Sequence, residues 1–379
     1  MLSYFLLFLL VFDLAIPPVG FIGSSPFVLV ICLTLLTPAK WQVFGKVLYT
    51  LRGVFLLYGI IIVYSIVRVL LSKEMEVEFI LTAFKALVIF ISCVLYFSIF
   101  HTKDLPNKII NIFFVNGIIC LVIGSFPDLL FLVNFFKNGV IDDPGFIPYR
   151  NAFLAGSGYF GIGAAYAVVI ALGCYLLINQ KNNFFFFFKL LVILIAGIIS
   201  ARTAFVGFAI GCGYIVFKKP TYSIYIVFIM ALVVCSVLFI PKLSIYSEWI
   251  FELFNAGSND GSLATKSTNE LFTMYFMPNF DTFIYGDGRY VDGALYYMET
   301  DAGYMRHLLF GGVFFVLLTV WLSLKLALNA KSRFYLFFLL PLALILHFKG
   351  VFILSNPAGM AVLILLSMWF NNKAQSERN

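Results

Sequence analysis

Long apolar runs, separated by short polar segments, occupy most of the chain. A helix needs roughly 17–25 apolar residues to cross a bilayer, and twelve runs reach or approach that length. They lie at about 2–16, 21–37, 54–72, 79–100, 109–126, 152–178, 184–200, 203–217, 222–240, 303–328, 334–348 and 351–370. This pattern predicts an all-α, polytopic transmembrane helix bundle of about 12 helices, within a range of 10 to 13.

Two polar segments are much longer than the others, at about 127–151 and 241–302. The second contains Glu248–Phe254, which predicts a short interfacial helix, and the Gly/Ser/Asn/Thr-rich stretch Ala256–Thr268, which predicts a mobile loop. The remaining connections are short. We therefore interpret residues 1–379 as a single integral membrane domain and expect its chemistry in the two long loops.

The composition fits bilayer rather than water as the solvent. Charged residues make up 11% of the chain, against about a quarter in soluble domains, and the mean hydropathy is +1.02. All 6 cysteines lie in apolar runs without a CxxC pair, which is typical of small core residues rather than metal ligands or disulfides. The first run has neither a basic start nor a small-residue cleavage site, so we interpret it as a retained helix.

The distribution of charge predicts the orientation. Lysine and arginine concentrate in cytoplasmic loops. With a cytoplasmic N-terminus, the inside loops and tail contain Lys40, Lys46, Arg52, Lys103, Lys108, Lys181, Lys218, Lys219, Lys325, Lys331, Arg333, Lys373 and Arg378. The outside loops then contain most acids: Glu74, Glu76, Glu78, Asp128, Asp142, Asp143 and those from Glu248 to Asp301. Both termini are therefore predicted to be cytoplasmic and both long loops external. The positive net charge of +7 is then explained by the basic cytoplasmic loops and does not indicate a nucleic-acid partner.

Five arginines fall on or near the outer face, where cations are disfavoured. They are Arg68, Arg150, Arg202, Arg289 and Arg306. The planar guanidinium binds phosphate through two parallel hydrogen bonds, so such a cluster suits a membrane-anchored diphosphate. The alternative is pairing with outer acids such as Asp287 and Asp301. Arg202 is the strongest candidate for a functional role among the five. Almost no loop separates the apolar runs around it, and a charge at such a position needs a cavity or a partner.

The end of the second long loop contains further candidates. His307 has the chemistry of a general base, although a lone histidine beside an arginine at a helix start is more often structural. Asp301 precedes the same run, where the helix dipole alone would favour a carboxylate. The same loop has aromatic rings that could stack on sugars, or else anchor it at the membrane interface, on Tyr285, Tyr290, Tyr296 and Tyr297.

Several common sites are absent from the sequence. It contains no phosphate loop, dinucleotide fingerprint, HExxH helix or GxSxG elbow. Within the apolar runs the one clear carboxylate is Asp13. Because proton- and cation-coupled transporters usually place carboxylates in mid-membrane, this scarcity disfavours a transporter.

Several local stretches add to the many helices and the two outer loops, of which the later is larger. Those stretches are Arg150 followed after ten residues by Gly161, Ser200-Ala201-Arg202, Gly286-Asp287-Gly288, Thr300-Asp301-Ala302-Gly303-Tyr304 and Gly311-Gly312. Taken together, these features resemble the O-antigen polymerase (Wzy) family, within the wider group that includes the O-antigen ligases. The family's second Arg-to-Gly spacing is missing, since neither Arg289 nor Arg306 has glycine at that distance.

The resemblance implies a glycosyltransferase of lipopolysaccharide and polysaccharide biosynthesis in the bacterial inner membrane. Its substrates would be undecaprenyl-diphosphate-linked oligosaccharides, with the carrier diphosphate as leaving group and no metal or nucleotide cofactor. We expect Arg150, Arg202, Arg289 and Arg306 to bind diphosphate, and Asp301 or His307 to accept the sugar proton. A chain-length regulator is the implied partner. A flippase for the same lipid and an O-antigen ligase remain as alternatives; the ligases typically have histidine near the Asp301 position.

Overall fold

The helices confirm the all-α class, and several of them are long and apolar enough to span a membrane. A computed structural model describes residues 1–15, 23–101, 103–137, 152–156, 158–180, 184–225, 227–228, 231–232, 235, 266–293 and 295–377. It is 80% helical with almost no strand. Among these residues, 5 helices are long and apolar enough to span a membrane, and further apolar helices are shorter. The count of about twelve and the orientation stay predictions.

The elements are numbered in chain order. The helices are α1 (Leu2–Phe12), α2 (Ser25–Thr34), α3 (Pro38–Thr50), α4 (Arg52–Leu71), α5 (Glu78–Phe100), α6 (Leu105–Ser125), α7 (Leu130–Asn134), α8 (Tyr159–Asn179), α9 (Phe184–Ser200), α10 (Ala204–Lys218), α11 (Lys266–Thr273), α12 (Phe280–Tyr285), α13 (Gly303–Ala330), α14 (Leu340–Lys349) and α15 (Pro357–Ser376). Between α12 and α13, strands β1 (Val291–Asp292) and β2 (Leu295–Tyr296) pair antiparallel, with Val291 opposite Tyr296. A π-helical turn, Tyr335–Leu339, leads into α14. The long candidate spans are α4, α5, α6, α8 and α13.

Helix α3 occupies a segment that hydropathy alone leaves as a loop. Thr37 caps its start, because the Thr37 side chain accepts a hydrogen bond from the Lys40 backbone N–H, and Pro38 suits the first helical position. Helix α3 buries none of its residues. The hydropathy pattern does not record capping residues, and it therefore misses this helix between the second and third apolar runs.

The chain forms two compact units. The first comprises Met1–Val11, Ser24–Leu105 and Leu271–Asn379, and the second comprises Phe12–Gly23 and Pro106–Glu270. In the first unit α13 packs against α4, α12 and α15, and α5 packs against α2, α3, α4 and α15. In the second unit α8 lies against α9 and α10, and 94% of its span is buried.

Part of the main loop, 241–302, is folded. Helices α11 and α12, the β1–β2 hairpin and a 3-10 turn at Tyr297–Glu299 all lie within it. The predicted interfacial helix at Glu248–Phe254 lies outside the described residues, as does most of the predicted mobile stretch. Of the first long loop, 127–151, the structure describes a 3-10 turn at Pro127–Leu129 and helix α7. The folded end of the main loop leads directly into α13.

Candidate functional site

A break in α13 anchors the main loop. Gly311 and Gly312 leave the helical conformation, with φ/ψ of −133°/15° and 69°/−172°. A helix interrupted in this way leaves carbonyl groups without intrahelical partners. The Leu309 carbonyl accepts a hydrogen bond from the Asp287 N–H at 2.6 Å, and the Phe310 carbonyl accepts one from the Gly288 N–H at 2.9 Å. The turn after α12 is thereby fixed to the helix that carries the candidate catalytic residues.

The close approach at this break requires glycine. A Cβ atom on Gly312 would lie 2.1 Å from the Ile284 carbonyl oxygen, and the φ of +69° is one that other residues rarely adopt. A Cβ atom on Gly286 would similarly lie 2.5 Å from the Phe310 carbonyl carbon. The Gly286-Asp287-Gly288 and Gly311-Gly312 stretches, far apart in sequence, are thus two halves of one backbone contact.

Helix α4 supports the same turn from its C-terminal end. The Arg68 Nη2 donates a hydrogen bond to the Gly286 carbonyl at 2.5 Å, and the Tyr64 hydroxyl donates one to the Gly311 carbonyl at 2.6 Å. The Asp287 carboxylate accepts hydrogen bonds from the hydroxyls of Thr282 and Tyr297. These contacts give Asp287 a structural role in holding the turn.

Arg289 is surrounded by carboxylates. Its guanidinium lies 2.9 Å from Glu74, 3.4 Å from Glu76 and 3.4 Å from Asp292. The Glu76 carboxylate also accepts hydrogen bonds from the backbone N–H groups of Tyr290 and Val291, at 2.9 and 3.1 Å. The arrangement matches the ion-pairing alternative for this arginine. A diphosphate at Arg289 would have to displace carboxylates or lie beside them.

Arg306 has a different environment. Its side chain is buried, 7% exposed, and its guanidinium carbon lies 3.8 Å from the ring centre of Tyr290 and 3.9 Å from that of Tyr296. Stacking between two aromatic faces stabilises a guanidinium. Its Nη2 donates to the Tyr290 carbonyl at 3.2 Å, whereas its buried Nε has no hydrogen-bond partner among the described residues. No described carboxylate lies within ion-pair distance, so Arg306 is a buried cation without a direct counter-ion.

Asp301 lies immediately before this helix and is half-buried. Burial raises the pKa of its carboxyl group above the ordinary value, while the nearby positive charges of Arg306 and Lys349 oppose that shift. The carboxylate makes no hydrogen bond or ion pair with any described residue. Ala302 is the N-cap of α13, and the helix has no side-chain cap. Asp301 is therefore a carboxylate without a direct partner among the described residues, within the electrostatic influence of two cations.

His307 belongs to a buried histidine pair. The Nδ1 of His347 accepts hydrogen bonds from the backbone N–H groups of Phe352 and Ile353, at 3.1 and 3.2 Å, so the proton of His347 is on its Nε2. That Nε2 lies 3.2 Å from the Nδ1 of His307 and donates to it. His307 consequently carries its proton on Nε2, which is buried without a partner among the described residues. The one ring nitrogen of His307 that has a free lone pair, Nδ1, therefore already accepts a hydrogen bond from His347.

The structure brings four of the six predicted site residues into one unit. Arg289, Asp301, Arg306 and His307 lie between the end of α12 and the second turn of α13. Arg202 lies in the second unit, in the turn between α9 and α10 where the apolar runs predict it. Arg150 lies outside the described residues. We use the name Asp301–Arg306 site for Asp301, Arg306, Tyr290, Tyr296 and Lys349.

Sequence reasoning missed part of this arrangement. Tyr290 and Tyr296 stack on Arg306 instead of being free for sugar or membrane, and Tyr297 lies under Arg289, 4.6 Å from its guanidinium carbon. His347 was not considered, although a titratable residue in an apolar run is a signal of function. Among the described residues no group of three or more His, Cys, Asp or Glu side chains is arranged to hold a metal ion.

Comparisons of this chain with protein-family models, with curated proteins and with solved structures found no match.

Proposed function

We propose that this protein polymerises undecaprenyl-diphosphate-linked oligosaccharide repeat units into O-antigen or a related polysaccharide, on the periplasmic face of the bacterial inner membrane. The observation that carries the proposal is the Asp301–Arg306 site at the start of a membrane-length helix. It combines a free carboxylate of raised pKa with a buried cation that has no carboxylate partner. The Wzy-like pattern of the sequence supports the same reaction class.

In this mechanism Asp301 is the general base. Its carboxylate takes the proton from the acceptor sugar hydroxyl as that oxygen attacks the anomeric carbon of the donor chain. The bond from the anomeric carbon to the diphosphate oxygen breaks, and undecaprenyl diphosphate departs with the electron pair. A raised pKa suits this role, because a base is most effective when its pKa approaches the working pH.

Arg306 stabilises the departing diphosphate. Its charge is held in a low-dielectric setting, where electrostatic attraction is stronger than in water, and the two tyrosine rings fix its plane. Arg150 and Arg202 remain proposed diphosphate ligands. Arg289, which already pairs with three carboxylates, is better suited to holding the loop.

His307 acts as a positioning residue in this proposal. Because the Nδ1 of His307 accepts a hydrogen bond from the Nε2 of His347, His307 has no free ring lone pair to accept a proton from a sugar hydroxyl. The pair instead ties the loop after α14 to the second turn of α13, next to Arg306. Asp301 is therefore preferred over His307 as the proton acceptor.

The test is the length distribution of polymer on a lipopolysaccharide gel. We expect Asp301→Asn to lose long chains, since the amide cannot accept the proton, and Arg306→Leu to do the same. Asp281→Asn is the matched control, because Asp281 is an exposed carboxylate in the same loop. If Asp301→Asn reaches the membrane at normal levels and still makes long chains, the mechanism is wrong.

A deletion strain separates the three functions that the sequence leaves open. Loss of a polymerase leaves lipid capped by a single repeat unit. Loss of a flippase removes all capped lipid, and loss of a ligase leaves long polymer on its carrier. The first outcome is the expected one, and either of the other two contradicts the proposal.

A further inference from the structure

Helix α4 is the least enclosed of the candidate spans in the described part of the chain. In the most apolar 18-residue stretch of α4, 39% of the residues are buried inside the protein, compared with 50% to 94% in the corresponding stretches of the other four helices. The side chains of Leu56, Ile60 and Val63 are 62%, 49% and 62% exposed. In a membrane protein this face meets apolar chains instead of water.

The exposed face of α4 is grooved. A groove with a volume of about 530 Å³ runs between α4 and Leu87 of α5, and its α4 side extends from Phe55 to Val67. Twelve residues of helix rise about 18 Å, more than half of the roughly 30 Å hydrocarbon core. Gly59 lies in the groove, and nothing occupies the space within 4 Å of the position of its missing Cβ atom. The groove is thus a long apolar track.

A cation, Arg68, follows the last groove-lining residue of α4, although Arg68 does not itself line the groove. Arg68 directly follows Val67, and Tyr64, which also lines the groove, lies one helical turn before it. The guanidinium bonds to the Gly286 carbonyl, but no described carboxylate lies within ion-pair distance of it. Its Nε is buried and has no hydrogen-bond partner among the described residues. The neighbouring acids Glu74 and Glu76 are both paired with Arg289.

We propose that the groove between α4 and α5 binds the isoprenoid chain of a polyprenyl phosphate lipid, with the phosphate at Arg68. The proposal rests on the function proposed above and adds a binding site to it. An amphiphile with one long apolar chain and an anionic head matches an apolar track that ends at a cation. The Arg68 hydrogen bond to Gly286 then links the lipid head to the turn that is hydrogen-bonded to α13, the helix of Arg306.

The probe for this site is undecaprenyl phosphate, which carries no sugar. Its binding to the purified full-length protein is measured by native mass spectrometry, with phosphatidylglycerol as competitor. We expect Leu56→Trp to fill the groove and Arg68→Gln to remove the charge, and each should raise the Kd. For Arg68→Gln the rise should be roughly fivefold or more, since one cation near an anionic lipid contributes about that factor. Arg68→Lys keeps the charge and should bind within about twofold of the unmodified protein.

Leu81→Trp is the matched control, because Leu81 is 60% exposed on α5 and does not line the groove. It should leave the Kd unchanged. If Leu56→Trp and Arg68→Gln bind undecaprenyl phosphate as tightly as Leu81→Trp does, or if phosphatidylglycerol displaces the probe at equal concentration, the site is refuted. The polymer gel is independent of this result, since loss of chains in Asp301→Asn with unchanged binding by Leu56→Trp would refute the groove alone.

Discussion

At the scale of single residues, burial and pairing separate the arginines of the first unit. Arg289 is partly exposed and surrounded by Glu74, Glu76 and Asp292, so most of its charge is compensated locally. Arg306 is buried between two tyrosine rings and has no described carboxylate at contact distance. An isolated buried charge is costly unless something compensates it, which is why Arg306 is the stronger candidate for an anionic substrate.

The raised pKa of Asp301 leads to a prediction about pH. A general base must be ionised, so polymerisation should fall as the pH drops through the raised pKa of this carboxyl group. The positive charge of Lys349 holds that pKa down, and Lys349→Met should therefore move the acid limb of the activity profile to higher pH. Lys331→Met, at the far end of α13, should leave the pH of the acid limb of the activity profile unchanged. The measurement is the rate of polymer formation in membrane vesicles against pH, and an unmoved or lowered limb in Lys349→Met contradicts the assignment.

At the scale of elements, the break in α13 explains why the end of the main loop is ordered. A continuous helix would satisfy its own carbonyls, whereas this one leaves the Leu309 and Phe310 carbonyls for the turn after α12. The sequence marks the position with two adjacent glycines. It does not reveal the partner, because the partner segment, Ile284–Gly288, lies more than twenty residues earlier in the chain.

Replacing Gly312 should therefore damage the fold. In Gly312→Ala the added Cβ atom would lie 2.1 Å from the Ile284 carbonyl oxygen at a positive φ, and we expect a loss of at least about 2 kcal/mol of stability. Gly45→Ala is the control, because nothing lies within 4 Å of its Cβ position in α3 and alanine is favoured in a helix by about 1 kcal/mol. Thermal unfolding in detergent should show a lower midpoint for the first variant only. Equal midpoints would mean that the break does not require glycine.

At the scale of the whole molecule, the helices fit a membrane and the charge distribution predicts how they cross it. Helix α13 has 28 residues, with its break at Gly311-Gly312, and it is long and apolar enough to cross a bilayer. The Asp301–Arg306 site is at its start, and Lys331 is at its end. If the helix crosses the membrane, the positive-inside tendency predicts that Lys331 is cytoplasmic and that the site is outside.

Thiol labelling tests this orientation directly. Cys212 and Cys235, which are not buried, would first be replaced by serine. A membrane-impermeant maleimide should then label Asp281→Cys in intact spheroplasts, and Lys331→Cys only after the membrane is opened, because both positions are exposed on the protein. The reverse pattern would place the proposed catalytic site in the cytosol and remove the basis for a periplasmic reaction.

The sequence by itself determined the all-α class, the membrane character and the location of most helices, because apolar run length is a local property. It also placed Arg202 between two helices. The tertiary structure alone decided which charges are neutralised, since Arg289 lies 213 residues from Glu76 and His307 lies 40 residues from His347. Such contacts depend on how helices pack in three dimensions, and no local pattern of polar and apolar positions records them.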